Sequence, residues 1–263
     1  MRSDSFENRF NGSQRLYGHQ GVKQLSQAHV AVVGLGGVGT WVVEALARTA
    51  VGQLSLFDLD DICVSNTNRQ LHAITGQYGQ SKVEAMANRV KAINPQCTIN
   101  QIEDFVTPDN VRELFSTGLD FVVDATDNVK AKSAMIAWCK RNKVKIITIG
   151  GAGGQLDPSQ IKIGDLAKTI QDPLLAKVRN QLRRDYNFSK NPKRKFGVDA
   201  IYSTEQLKYP TDNGGVCLQK PETDGPARLD CATGFGASTV VTGSFGFFAA
   251  SVVINKLSQP AKS

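Results

Sequence analysis

The sequence predicts an α/β protein built on a mainly parallel sheet covered by helices on both sides, and three observations predict it. Short Val- and Ile-rich runs, apolar on both faces, alternate with segments of helical periodicity. The first run ends in a glycine turn, Gly34-Leu35-Gly36-Gly37-Val38-Gly39, that opens directly into a helical pattern. The composition is that of an ordinary globular chain: 41% of the 263 residues are hydrophobic and 21% charged, which excludes disorder and fibrous repeats.

Taken in order, Met1 to Gln27 (residues 1–27) is polar, carries Arg9 and Arg15, and reads as an N-terminal arm with a short helical pattern around Val22 to Ser26. His29 to Val33 is the first strand, and Thr40 to Ala50 is a helix with Val42, Val43, Leu46 and Ala47 on its apolar side. Strands follow at Gln53 to Phe57, Thr98 to Ile102, Phe121 to Val123 and Val144 to Ile149, separated by helices at Ser81 to Asn94 and Val129 to Asn142. Residues 28–150 therefore form a Rossmann-like nucleotide-binding unit.

The texture changes in residues 151–263. A strand is expected at Gln160 to Ile163 and a helix from Asp172 to Tyr186. Lys177 to Lys195 then carries eight Lys or Arg against one acid, Asp185, and ends in a polar, Pro-containing loop. It reads either as a solvated helix face with a linker or as a contact for a nucleic-acid backbone, in which case binding weakens steeply with salt. Cys231 to Asn255 holds no charged residue, and Phe235 to Ile254 is long enough to span a bilayer. Gly236, Gly243, Gly246 and five Ser or Thr suit that stretch better to a buried or dimer-interface helix, with membrane contact the lesser expectation.

Charge and cysteines narrow the setting. Lys plus Arg number 31 against 24 Asp plus Glu, a formal charge of +7 with a pI near 9.2, which favours an anionic partner: nucleotide, nucleic acid or lipid head groups. The five cysteines (Cys63, Cys97, Cys139, Cys217, Cys231) are odd in number with no CxxC pair, and no apolar leader follows Met1. A disulfide framework and a treble-clef zinc site lose support, and a cytoplasmic location is expected.

Gly34, Gly36 and Gly39 have the spacing that lets backbone approach a phosphate chain at a helix N-terminus, and Asp58 ends the next strand where it can take ribose hydroxyls. These features alone leave NAD and ATP open. Behind Asp58 and Asp60 come Asn66, Asn68, Arg69 and Gln70, which a dehydrogenase has no need for. Lys82 falls in the first turn of a helix, where a cation is unfavourable unless an anion lies beside it, and this suggests a phosphate there. Asp124-Ala125-Thr126-Asp127-Asn128 puts carboxylates at the carboxyl end of the fourth strand, and Asp127 could hold Mg²⁺ on a triphosphate. Together these favour ATP.

The run from Gly34 to Gly39 (including Gly37), Asp58-Leu59-Asp60, Asn66-x-x-Arg69-Gln70, Lys82 and Asp124-x-x-Asp127-Asn128 resembles the ThiF/MoeB superfamily of ubiquitin-activating-enzyme-like adenylating proteins. The resemblance implies attack of a substrate carboxylate on the α-phosphate of MgATP, giving an acyl-adenylate and pyrophosphate. It implies that Asp58 holds the ribose, Asn66, Arg69 and Lys82 the phosphates, and Asp127 the metal. It also implies a homodimer, in which an N-terminal arginine reaches the partner's nucleotide; Arg15 is the better match and Arg9 the second. Catalysis would then rest on Arg69, Lys82, Asp127 and Arg15, with Gln70 and Asn128 completing the nucleotide site.

Members that pass on sulfur or a protein tail usually carry paired CxxC ligands, which this sequence lacks. Its second half, with Gly150-Gly151-Ala152-Gly153-Gly154, Asp165 to Pro173 and Asp230-Cys231-Ala232-Thr233-Gly234, is similar instead to the superfamily's bacterial tRNA threonylcarbamoyladenosine dehydratase branch, in which a C-terminal extension completes the adenylation domain. That similarity implies ATP-dependent cyclisation of the threonylcarbamoyl group on tRNA, by an internal nucleophile that needs no enzyme cysteine. Arg183, Arg184, Lys190, Lys193, Arg194 and Lys195 are then the expected tRNA contacts. Cys217 and Cys231 are expected to pack and not to relay sulfur. The nearest rival is adenylation of a sulfur-carrier protein's C-terminal carboxylate, with a sulfur-transfer partner; a nucleotide-gated scaffold and an NAD dehydrogenase are the others.

Overall fold

A computed structural model describes residues 5–115, 118–211, 213–219 and 235–259. The chain runs α1 (Phe6–Gln27), β1 (His29–Val33), α2 (Gly39–Arg48), β2 (Gln53–Phe57), α3 (Lys82–Ile93), β3 (Thr98–Ile102), α4 (Val111–Leu114) and β4 (Phe121–Asp124). It continues with α5 (Val129–Asn142), β5 (Lys145–Ile149), β6 (Ile161–Asp165), α6 (Pro173–Asp185), β7 (Asp199–Ser203), a small hairpin of β8 (Tyr209–Pro210) and β9 (Val216–Cys217), and α7 (Thr239–Leu257).

Seven strands form one sheet in the order β3-β2-β1-β4-β5-β7-β6, and all neighbours are parallel except β6 and β7. Alternation along β1 shows how both faces are filled. Val30 and Val32 point into the layer of α2, α3 and α7, while Ala31 and Val33 point into the layer of α4, α5 and α6. The connections reverse direction between β1 and β4, so their carboxyl ends splay apart and open a crevice, which is where sheets of this kind bind ligands.

Helix α7 explains its own small residues. A Cβ on Gly246 would stand 2.8 Å from both the Val38 carbonyl oxygen and Trp41 Cβ, so only glycine lets α7 seat on α2. By length and composition α7 could cross a membrane, yet half of its apolar window is buried within the fold. Val240, Phe247 and Phe248 remain on its outer side.

Two features depart from the sequence reading. The arm is mostly helix: α1 begins at the Ser5 cap, whose Oγ accepts the Asn8 N–H, and kinks at Gly18, where φ is +74°. Its polar surface hid it, because only Phe10, Gly21, Val22 and Leu25 are buried along 22 residues. Strand β7 was not anticipated; it pairs on both sides and joins the antiparallel β6 to the parallel sheet. Cys231 and the segment Asp230 to Gly234 lie outside the described residues.

Candidate functional site

The glycine turn sits at the β1 end of the crevice and is held from both sides. Gly34 has φ +89° with the Ala125 carbonyl close against it, and a Cβ on Gly39 would stand 1.8 Å from the Gly34 carbonyl oxygen. Neither position tolerates a side chain, and that closeness brings the start of α2 onto the turn. The intervening Leu35 is pinned at both polar groups. Its N–H donates to Asp58 Oδ2 (2.6 Å), and its carbonyl faces His72 Nε2 (3.2 Å), which calls for the Nε2–H tautomer. Burial pushes the His72 pKa down to about 4, so its ring stays neutral and can keep that role. His72 escaped the sequence reading; nothing in the local pattern marks a histidine behind a glycine turn.

Asp58 is buried at the end of β2. Besides Leu35 it accepts the Asp60 N–H (3.0 Å), and Lys82 Nζ stands 3.7 Å from its Oδ1. Lys82 also pairs with Asp60 at 2.7 Å. The anion inferred beside Lys82 is therefore present in the protein itself, as two carboxylates. The cation at the start of α3 is thus compensated within the protein.

The segment 63–70 folds over the turn. The one-turn helix Val64–Asn66 is closed by Asn66, whose buried Oδ1 accepts the Cys63 N–H (3.0 Å). The Arg69 stem lies on Gly37, where a Cβ would meet Arg69 Cγ at 2.9 Å. Among the described residues its guanidinium donates only to neutral oxygens, the Ser65 carbonyl (3.0 Å) and Asn68 Oδ1 (2.9 Å). Trp41 Nε1–H holds the Arg69 carbonyl at 3.1 Å, so α2 positions the residue, whose charge has no ion-pair partner among the described residues. Gln70 is buried beside Gly36, and its Oε1 has no hydrogen-bond partner among the described residues. Asn68 and Thr239 tie the segment to the start of α7.

The two aspartates after β4 take opposite roles. Asp124 is fully buried and ion-paired to Lys132 Nζ at 3.1 Å; it also accepts the Thr148 hydroxyl (2.6 Å) and, through Oδ1, the Thr126 hydroxyl (2.8 Å). Asp127 is exposed and has no hydrogen bond or ion pair among the described residues. Asn128 caps α5, its Oδ1 accepting the Lys130 and Ala131 N–H groups. Asp124 thus builds the crevice wall, and Asp127 is the carboxylate at its edge.

Lys132, also missed in the sequence, reaches across the seam. Its Nζ donates to the Ile149 carbonyl at 2.7 Å, immediately before the Gly150-Gly151 turn. On the far side of that turn Asp172 accepts the Gly151 N–H (2.9 Å) and caps α6 through the Leu175 N–H (2.8 Å). Burial raises the Asp172 pKa, with these two N–H groups and the Lys132 charge opposing. One buried ammonium therefore fastens the β4 loop to the Gly150-Gly151 turn.

The remaining expected residues stand apart. Arg15 is exposed on α1, and no hydrogen bond ties it to this cluster among the described residues. Arg9 instead donates to the Ala92 and Ile93 carbonyls at the end of α3. The basic group lies at the amino edge of the sheet, because the loop 186–198 feeds the amino end of β7, parallel to β5. Within it, Arg183 stacks over the Phe196 ring at 5.4 Å and Arg184 pairs with Asp185, whereas Lys190, Lys193, Arg194 and Lys195 are surface cations. Helix α6, 13 residues or about 20 Å long at 1.5 Å per residue, separates that loop from the nucleotide crevice. Cys97 and Cys139 are buried thiols, the first raised to about 11 by burial, and Cys217 lies on β9.

The ThiF family signature matches residues 11–262. The tRNA threonylcarbamoyladenosine dehydratase of Haemophilus influenzae is 57% identical over 97% of this chain and 95% of its own length. That of Escherichia coli is 52% identical over 98% and 97%. The crystal structure of the Escherichia coli enzyme in complex with ATP superposes with a TM-score of 0.86 at 48% identity, covering 98% of this chain and 96% of that one.

Proposed function

The chain belongs to the ThiF family, and on that premise we propose that it is an ATP-dependent tRNA threonylcarbamoyladenosine dehydratase, which cyclises the threonylcarbamoyl group of the modified adenosine. The observation that carries this reading is end-to-end similarity to such dehydratases, in a chain where Arg69 lies on the glycine turn and neither it nor Asp127 has an ion-pair partner among the described residues.

The reaction follows from those groups. A threonine carboxylate oxygen attacks the α-phosphorus of ATP, and pyrophosphate leaves. An atom of the same substituent then attacks the activated carbonyl, closing a ring and expelling AMP; the net change in the nucleoside is loss of one water. Because the nucleophile is tethered, effective molarities reach roughly 10⁵ to 10⁸ M, so holding the substituent in place contributes most of the acceleration. The Gly34–Gly39 turn and the start of α2 offer backbone N–H groups to phosphate, and Asp58 takes the ribose. Asn66, Arg69 and Lys82 border the phosphates, and Arg69, with no carboxylate partner among the described residues, has its charge available to the phosphate in transfer.

A magnesium ion fits the residues present. No group of three or more His, Cys, Asp or Glu is assembled for a metal among the described residues, but Mg²⁺ is commonly held by one or two carboxylates together with phosphates and water. The free Asp127 carboxylate suits that mode. When bound, the ion would neutralise charge on the phosphate oxygens, while Asp127 orients it and Asn128 holds the loop by capping α5.

For tRNA, we take Lys190, Lys193, Arg194 and Lys195, with Arg183 and Arg184 behind them, as backbone contacts. The exposed side of α7, with Val240, Phe247 and Phe248, suits a second copy of the chain better than a bilayer, and Arg15 would act across that dimer. The enzyme would work in the cytoplasm. The rival acceptor, a sulfur-carrier carboxylate, is disfavoured by the lack of CxxC pairs in the sequence; of the described cysteines Cys97 and Cys139 are buried, Cys217 is half-buried and Cys63 is exposed. The test incubates the protein with MgATP and tRNA bearing threonylcarbamoyladenosine, digests the RNA gently and weighs the nucleoside. Loss of one water with matching AMP release is expected; an unchanged nucleoside would overturn the reading.

A further inference from the structure

At the amino edge of the sheet, between α4 and the end of α5, lies a cavity of about 650 Å³. Arg112, Phe115, Leu119, Trp138, Arg141 and Val144 line it. Arg112 and Arg141 are exposed, and neither has a hydrogen bond or ion pair among the described residues. Trp138 is half-buried, braced edge-on against Phe115 with ring centroids 5.4 Å apart, and its indole N–H has no acceptor among those residues. The chain leaving the cavity adds Lys143 and Lys145, with no acid between Lys140 and Lys145. The acids nearby are Glu113, beside Arg112, and Asp120, whose carboxylate accepts the His29 N–H.

This surface is continuous with the basic loop. Lys140 Nζ donates to the Gly197 carbonyl (3.3 Å), and Lys168 to that of Pro192, so α5 and the strand β6 exit both anchor the loop. Cations with no ion-pair partner among the described residues, set around an aromatic donor and extended by a second basic group on the same edge, match a polyanionic backbone.

We propose that the Trp138 cavity is part of the RNA-binding face: Arg112 and Arg141 hold backbone phosphates, and the Trp138 indole N–H donates to the RNA backbone. The inference rests on the tRNA reading above. It assigns the tRNA a grip about one helix length, roughly 20 Å along α6, from the nucleotide being modified. Contacts of this kind position a substrate without reading its sequence.

The test measures affinity for tRNA carrying threonylcarbamoyladenosine as a function of salt. It compares the wild type, Arg112→Ala/Arg141→Ala, Arg112→Glu/Arg141→Glu and Trp138→Phe. ATP affinity serves as a control on folding and is expected to stay unchanged. Two lost phosphate contacts lower the slope of log affinity against log salt by about 1.4 to 1.8, so between roughly 50 and 200 mM salt the alanine pair should lose about tenfold less affinity than the wild type. Weaker tRNA binding, strongest in the glutamate pair, with kcat retained at saturating tRNA is the expected result. Unchanged affinity and slope in both arginine pairs, with ATP binding intact, would overturn the proposal, as would normal tRNA binding accompanied by loss of an acidic protein partner. A wild-type chain that neither binds nor dehydrates tRNA would instead overturn the function reading, and this inference with it.

Discussion

Replacing Lys132 with Met should destabilise the protein by about 4 kcal/mol, since breaking one side of a buried ion pair typically costs about 3 to 5 kcal/mol. The structure supports a value well inside that range. Lys132 and Asp124 have no exposed side-chain surface, and the ammonium serves Asp124, Thr148 and the Ile149 carbonyl. Methionine fills similar volume but leaves a buried carboxylate without its counter-charge and the Ile149 carbonyl without its donor. For a chain of this size, about 4 kcal/mol corresponds to a fall in Tm of roughly 8 to 16 °C. The assay is reversible urea unfolding followed by far-UV circular dichroism, with a check that the denaturant slope is unchanged. Asp124→Asn alone should also be costly, whereas Asp124→Asn/Lys132→Met should lose at least about 2 kcal/mol less than the sum of the two single changes, because the charges are removed together. A loss below about 1 kcal/mol for Lys132→Met, or strict additivity, would refute the reasoning.

Gly39→Ala should weaken ATP binding more than tenfold and cost about 1 to 3 kcal/mol, because its Cβ would collide with the Gly34 carbonyl; ATP affinity by calorimetry equal to wild type would show that the turn can relax. Asp127→Asn should reduce turnover by about a hundredfold or more with Tm nearly unchanged, since the side chain is exposed; full activity at any magnesium concentration would remove it from the metal site. The His72 pKa is lowered from 6.5 to about 4 in the fold, so between those values the unfolded chain binds the extra proton and stability falls as pH falls. At most about 3 kcal/mol is lost this way, and none of it above pH 6.5. His72→Gln should show a flatter dependence between pH 6.5 and 4 in urea unfolding, and an unaltered slope would mean that the ring is not held neutral.

Much of the nucleotide-binding half could be read before any coordinates. Strands β1, β2 and β3 lie where their apolar runs lie, and the Gly34–Gly39 turn joins β1 to α2 as its spacing requires. Alternating apolar residues, turn glycines and caps such as Ser81 and Asn128 act on near neighbours along the chain, so the sequence alone determined them. The tertiary structure decided what depends on distant partners. Lys82 finds Asp58 and Asp60 more than twenty residues away, and Lys132 finds Asp124 and Ile149 across two strands. Asp172 finds Gly151, and β7 becomes a strand only because β5 and β6 pair with it. The basic loop precedes β7, and because β7 runs parallel to β5 the fold carries that loop to the edge opposite the crevice. Whether a polar side chain is buried, paired or free is set by groups that folding brings together, and no local pattern encodes those encounters.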